Sequence, residues 1–292
     1  MEERIEDNMK TGVIDVGGGL RGIYAAGVFD YCLDAGVTFD IGIGVSAGSA
    51  NIAAYLAGQK GRNYLFYTDY SFRKEYMSFK NFVRKKSYID MDYLYGTLSN
   101  STGENPLDYP AIVRNSAQML VVATNAQTGE AVYFQKDDLK QDNYDIFKAS
   151  CSIPFVCRPY EINGVPYYDG ALSDPVPIEK AFACGCDKVV VILTKPEAFI
   201  RNPAKDEKIA RRIQKKYPAS AENLRKRAEN YNRQVALAKQ YRDQGRAIII
   251  APDDTCGVDT LTRDREALQR FYKKGYQDAQ AIPEFLKQDG GK

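Results

Sequence analysis

Two short apolar runs, "TGVIDV" from residue 11 and "FDIGIGV" from residue 39, each break into a glycine-containing turn and then into a stretch of helical length. A strand that ends in a tight turn and feeds a helix is half of a βαβ unit, and two in succession commit the chain to a parallel sheet covered by helices. The first helix is read over "LRGIYAAGVFDYCLDAG", with Ile23, Val28 and Leu33 on its buried side and Gly36 closing it; the second, "AGSANIAAYLAG", ends at Gly58. Downstream, "QMLVVATNA" returns through "TGE" into "AVYFQ", and "YEINGVPYYDG" carries Asn163-Gly164, a good hairpin turn. "DKVVVILT" and "RAIIIAP" are continuous apolar runs of the kind buried in the middle of a sheet. The expected fold class is α/β, with a mostly parallel central sheet and helices on both faces.

At 292 residues and 44% hydrophobic content the chain can bury a large core without staples. The first ten residues, "MEERIEDNMK", read as a charged tail without an apolar leader, and no run reaches the roughly 18 apolar residues of a membrane span. A cytoplasmic protein is expected. Six cysteines (Cys32, Cys151, Cys157, Cys184, Cys186, Cys256) are then free thiols, mostly in the core, and the lone "CGC" pair lacks the partners of a metal site. No metal or cofactor is expected.

Histidine is absent. That removes the usual general base, and with it any Ser-His-Asp triad, His-activated cysteine or H-E-x-x-H zinc site. Nucleophilic chemistry here must use a carboxylate or a lysine as base.

The run "GGGLRG", residues 17 to 22, fits G-x-G-x-x-G spacing. A dinucleotide site would also need an acidic residue at the end of the second strand, and Asp40 stands at its beginning instead. What occupies the end of that strand is "GVSAG", residues 44 to 48, in the strand-turn-helix setting of a nucleophile elbow. Gly44, Gly48 and the small Ala47 relieve the crowding of a sharp turn and leave the Ser46 hydroxyl exposed at a helix N-terminus, where free N–H groups favour negative charge. Two adjacent parallel strands ending at one sheet edge bring the glycine run to Ser46. The N–H groups of Gly18 and Gly19 can then meet an oxyanion, and Arg21 holds the loop or meets an anionic substrate group. The candidate base is Asp169 in "YYDGALSDPVP", with Asp174 as the fallback.

"GGGLRG", "GVSAG" and "DGA", in this order, resemble the patatin-like phospholipase family, of the bacterial cytoplasmic type; "ASCSIPFV", residues 149 to 156, looks like its Ala-Ser-x-x-Pro-Phe segment. The resemblance covers about residues 11 to 195. It implies a three-layer sandwich, lipid acyl hydrolysis by a Ser-Asp dyad, Ser46 as nucleophile, Asp169 as its base, and Gly17, Gly18, Gly19 and Arg21 as the oxyanion loop. The implied substrate is a lipid or other ester. A non-catalytic lipid-binding or membrane-associated protein of the same fold and a nicotinamide-dependent oxidoreductase are the rival readings.

Two regions fall outside the strand-helix rhythm. Residues 60 to 100 are dense in aromatic and basic residues and can offer acyl chains an apolar wall, with Arg73, Lys74, Arg84, Lys85 and Lys86 facing phosphate head groups or solvent. Between Lys195 and Arg246 there are 15 Lys/Arg against 6 Asp/Glu, leaving 25 against 32 elsewhere. In that segment Leu224, Ala228, Tyr231, Val235 and Ala238 form one apolar stripe on a basic helix. Such a helix can lie on an anionic membrane, but a stripe this weak is better used against the domain body. The expected organisation is a tail over 1–10, a catalytic core over 11–195, and a segment over 196–292 that adds the basic helix, a further core strand (about 246–252) and a terminal helix. No nucleic-acid motif is present.

Overall fold

The computed structural model describes residues 9–288, so most of the expected N-terminal tail lies outside the described residues. Strand β1 (Thr11–Asp15) passes through a 3-10 turn over Gly19–Gly22 into α1 (Ile23–Asp34), and β2 (Ile41–Val45) turns directly into α2 (Ala47–Leu56). Next come α3 (Arg62–Thr68), α4 (Phe79–Lys85), a π-helical turn over Tyr93–Leu98, and α5 (Tyr109–Arg114). The sheet resumes with β3 (Gln118–Asn125) and β4 (Ala131–Gln135); α6 (Asp145–Ser150) precedes the hairpin of β5 (Tyr160–Ile162) and β6 (Val165–Asp169). After α7 (Ile178–Ala183) and β7 (Lys188–Ile192), the basic segment forms α8 (Ala204–Ile213) and α9 (Pro218–Asp243), followed by β8 (Ala247–Ile250), α10 (Arg265–Asp278) and α11 (Ile282–Lys287).

Strands β3, β2, β1, β7 and β8 lie side by side and parallel; β4 and β6 run antiparallel to β3, and β5 pairs with β6. Alternation along buried strands sorts their side chains onto two faces. Val13, Val121, Val190 and Ile192 pack with α1, α2 and α10, whereas Ile14, Val122, Val189 and Val191 pack with α7 and α9. The run "RAIIIAP" departs from expectation. Its strand β8 closes the sheet rather than sitting inside it. Its apolarity serves the two faces, Ile250 joining the first cluster and Ile249 the second.

The C-terminal segment is part of the same core. Helices α1 and α10 cross so closely that a Cβ on Gly27 would stand 2.1 Å from the Tyr272 carbonyl oxygen, and one on Gly275 2.0 Å from that of Tyr24. Glycine at both positions lets the backbones touch, and Tyr24, Tyr272 and Tyr276 tie the crossing by donating to Asp278, Asp30 and Asp34. On α9 the stripe of Leu224, Ala228, Val235 and Ala238 is buried against the body.

Strand register sets up the site. Val122 pairs with Val45 of β2 and with Tyr133 of β4, so those two strands flank β3 on opposite sides. Ala123, the next residue, pairs with Val132 of β4 and with Asp169 of β6. Strand β6 therefore takes over the edge that β2 leaves. Where β2 turns out of the sheet at Ser46, β6 arrives with Asp169.

Candidate active site

The elbow is sterically demanding. A Cβ on Gly44 would fall 2.3 Å from the Ser49 Cα, and one on Gly48 2.3 Å from the Asp15 carbonyl oxygen, so the turn closes only with glycine at both places. Ser46 itself holds φ 56° and ψ −130°, a conformation L residues rarely occupy. Its surroundings fix it there: the Ser46 N–H donates to Ser150 Oγ at 2.9 Å, Ser150 Oγ donates to the Val122 carbonyl at 2.6 Å, and Ser49 N–H and Oγ both donate to the Ser46 carbonyl. Contrary to the sequence expectation of an exposed hydroxyl, Ser46 is only 5% accessible. The elbow lifts it out of the sheet, but the glycine loop and residues of the 60–100 region close over it.

Asp169 is buried at the end of β6. Its Oδ1 accepts the Ala171 N–H at 2.8 Å, and its own N–H donates to the Ser152 carbonyl within the "ASCSIPFV" segment. Burial pushes the carboxyl above the ordinary carboxylate range, opposed by the nearby Arg227 guanidinium, by the Ser46 hydroxyl close to it and by the hydrogen bond from the Ala171 N–H. A carboxylate with that balance, beside a serine hydroxyl, can accept its proton. The fallback Asp174 is elsewhere: it accepts from Tyr133 OH at 2.6 Å and from the Gln234 amide, and does not line the recess that holds Ser46. Asp40 accepts from the N–H and hydroxyl of Thr11, at the opposite end of β1 from the glycine run.

The glycine loop folds back on the elbow. Gly17, Gly18 and Gly19 have φ of 65°, 124° and 63°, and a Cβ on Gly17 would come within 2.2 Å of the Val45 carbonyl oxygen. Among the described residues the N–H groups of Gly18 and Gly19 have no hydrogen-bond partner, so both remain available to a ligand oxygen. Arg21 packs under Gly18, and its Nη1 meets Asp259 Oδ1 at 2.6 Å and Thr260 Oγ1 at 2.9 Å, while the Leu20 N–H donates to the Thr260 carbonyl. The C-terminal segment thus straps the loop.

Sequence reasoning missed two residues here. Asp15, fully buried, accepts the Gly17 N–H at 2.8 Å on one oxygen and the Asn51 amide at 2.9 Å on the other, tying β1, loop and α2 together. Burial raises its carboxyl to about 6 against these two hydrogen bonds. The signal was a carboxylate inside an apolar parallel strand, which must be partnered to be tolerated. Arg227 is half-buried near Asp169, and its Nε donates to the Ala171 carbonyl at 3.0 Å. It follows Leu224 by three residues and precedes Tyr231 by four, so helical spacing puts it on the apolar stripe.

Ser46 stands between two chambers that share Gly19, Ser46 and Ile153. One, of about 170 Å³, is polar and lined by Arg21, Asp169, Lys195, Arg201 and Arg227. The other, narrower at about 50 Å³, is apolar and lined by residues such as Phe66, Tyr67, Tyr76, Met91 and Tyr95 from the 60–100 region. Among the described residues, no group of three or more potential ligands could hold a metal ion, and no helix is long and apolar enough to cross a membrane.

Comparison with known proteins adds the following. The model of a family described as patatin-like phospholipase matches residues 16–182, more than half of the chain, and that of a domain of unknown function, DUF6363, matches residues 217–288. An uncharacterised protein of Escherichia coli K12, YjjU, is 31% identical over 200 residues, which take in 64% of this chain and 52% of that protein. The chain therefore matches about half the length of that relative. A crystal structure of VipD from Legionella pneumophila aligns over 96% of this chain and 67% of that one, at a TM-score of 0.48 and 15% identity.

Proposed function

Because the chain belongs to the patatin-like phospholipase family, we propose that it is a serine acyl hydrolase that cleaves lipid esters with Ser46 as nucleophile and Asp169 as its base. The observation that carries this reading is the hand-over of one edge of β3 from β2 to β6, which sets the elbow serine beside a buried carboxylate in a chain without histidine. In the first step Ser46 Oγ bonds to the ester carbonyl carbon and its proton passes to Asp169. The oxyanion meets the Gly18 and Gly19 N–H groups; collapse breaks the bond to the alcohol oxygen, which takes the proton back from Asp169. Water then adds to the acyl-enzyme with Asp169 again accepting a proton, and the free acid leaves as Ser46 is reprotonated. The apolar chamber suits an acyl chain.

Helix α4 supports peripheral contact with an anionic lipid surface. Phe79 is 72% and Val83 64% accessible, with Phe82 also exposed, and Lys80, Arg84, Lys85 and Lys86 surround them. Labelling with a fluorophosphonate probe tests the dyad. We expect an adduct on Ser46 in the wild type and none on a folded Asp169→Asn protein. Equal labelling of that variant overturns the dyad, and no adduct on folded wild type leaves a lipid-binding role instead.

A further inference from the structure

The polar chamber is richer in cations than hydrolysis requires. Four basic side chains converge on it from three parts of the chain: Arg21 from the glycine loop, Lys195 and Arg201 from the stretch after β7, and Arg227 from α9. The carboxylates that face them are Asp259 on Arg21, Asp206 on Arg201 and Arg227, and Asp169 itself. Lys195 has no carboxylate within ion-pair distance among the described residues and lies instead over the Phe199 ring, 3.6 Å from its centroid. Arg21 Nε is buried with no hydrogen-bond partner among the described residues. A buried donor such as Arg21 Nε is not left so in a protein interior unless something else meets it, and the half-buried Lys195 leaves its ammonium free to turn toward the same space.

We propose that this chamber binds a phosphate group on the alcohol side of the ester, so that the preferred substrates are acyl esters whose leaving group carries a phosphate monoester. The proposal rests on the hydrolase reading above and assigns the two chambers: acyl chain among the aromatics, phosphate among the cations, scissile carbonyl at Ser46 between them. Burial first, and then Arg21 and Arg201 beside it, pull the Lys195 ammonium down to about 8, and a bound anion would offset the repulsion among these cations. A planar guanidinium with a spare N–H and a mobile ammonium are the two donor types that phosphate sites use. Three of the four cations lie beyond residue 182, outside the span matched by the patatin-like model, so head-group choice would belong to the C-terminal part of this chain.

Two measurements test it. Titration of the Ser46→Ala protein with glycerol 3-phosphate reads the chamber without turnover: binding is expected, weakened at least tenfold on adding Lys195→Ala and restored by Lys195→Arg. Turnover of 1-acylglycerol 3-phosphate and of the 1-acylglycerol with the same chain reads selectivity: wild type should favour the phosphate ester in kcat/KM, mainly through KM, and Lys195→Ala should collapse that ratio. Binding that fails, or a ratio that Lys195→Ala does not change, overturns the proposal. So does inorganic phosphate binding as tightly as glycerol 3-phosphate while both lipids turn over alike, which would make the chamber a site for the free ion. Lys195-dependent glycerol 3-phosphate binding in a protein that cleaves no ester would uphold the phosphate site and overturn the hydrolase reading alone.

Discussion

Asp15 should make the stability of this protein fall as pH rises, and Asp15→Asn should remove that part of the dependence. A carboxyl group whose pKa is higher in the folded chain than in the unfolded one holds its proton more tightly when folded. It therefore supports folding below about pH 4 and withdraws that support as pH climbs through the folded value. Moving from the ordinary 3.8 to about 6 corresponds to about 3 kcal/mol withdrawn by pH 8. The asparagine variant does not titrate. It can still accept the Gly17 N–H, but its amide meets the Asn51 amide with donor against donor, a roughly pH-independent cost of about 1–3 kcal/mol. The stability of wild type minus variant should thus shrink by about 3 kcal/mol between about pH 4 and pH 8, wild type being clearly the more stable at the acid end. Asp30, Asp169 and Asp174 are also raised by burial, and they titrate in both proteins and cancel in the difference. Urea unfolding followed by circular dichroism at four pH values measures this directly. A difference that is flat across the range would mean that Asp15 carries the same charge folded and unfolded, and the account of the buried loop anchor would be wrong.

Gly17→Ala should cut fluorophosphonate labelling by on the order of a hundredfold in a protein that still unfolds cooperatively, because the new methyl meets the Val45 carbonyl and displaces the oxyanion donors; labelling at the wild-type rate would refute the loop assignment. Asp174→Asn should lower stability by about 1–3 kcal/mol through its Tyr133 and Gln234 partners yet keep the Ser46 adduct, and loss of the adduct at full stability would reinstate Asp174 as a base. Phe79→Asp combined with Phe82→Asp should reduce co-sedimentation with vesicles containing phosphatidylglycerol several-fold; unchanged sedimentation would rule out α4 as the contact.

Much of the sheet and both glycine turns were legible because their signals are local. A strand, a glycine turn and a helix are contiguous in "TGVIDVGGGLRG" and "FDIGIGVSAG", and the hairpin at Asn163-Gly164 needs only two residues to declare itself. The position of β8 was not legible, since an apolar run that packs on both faces looks the same in the middle of a sheet and at its end, where β8 stands. Arg227 and Lys195 were hidden for a related reason. In a segment with 15 basic residues, charge alone does not say which cation turns inward. Only the spacing of Arg227 from Leu224 and Tyr231 does so, and nothing in the sequence shows that α9 passes beside Asp169. The burial of Ser46 likewise depends on residues 60 to 100 closing over it, a contact made across the fold.

The shared edge of β3 acts as a ruler. Ser46 and Asp169 are separated in sequence by more than a hundred residues, yet their spacing is set by consecutive rungs, Val122 with Val45 and Ala123 with Asp169. Residues may be added at the Asn163–Gly164 tip without altering that spacing, because the rungs lie at the other end of the hairpin. One residue removed from β6 between the tip and Asp169 would slide the carboxyl to the opposite face of the sheet. Anyone remodelling this scaffold has freedom in the chambers and almost none in the hairpin register, since the placing of Asp169 beside Ser46 is indexed by backbone hydrogen bonds.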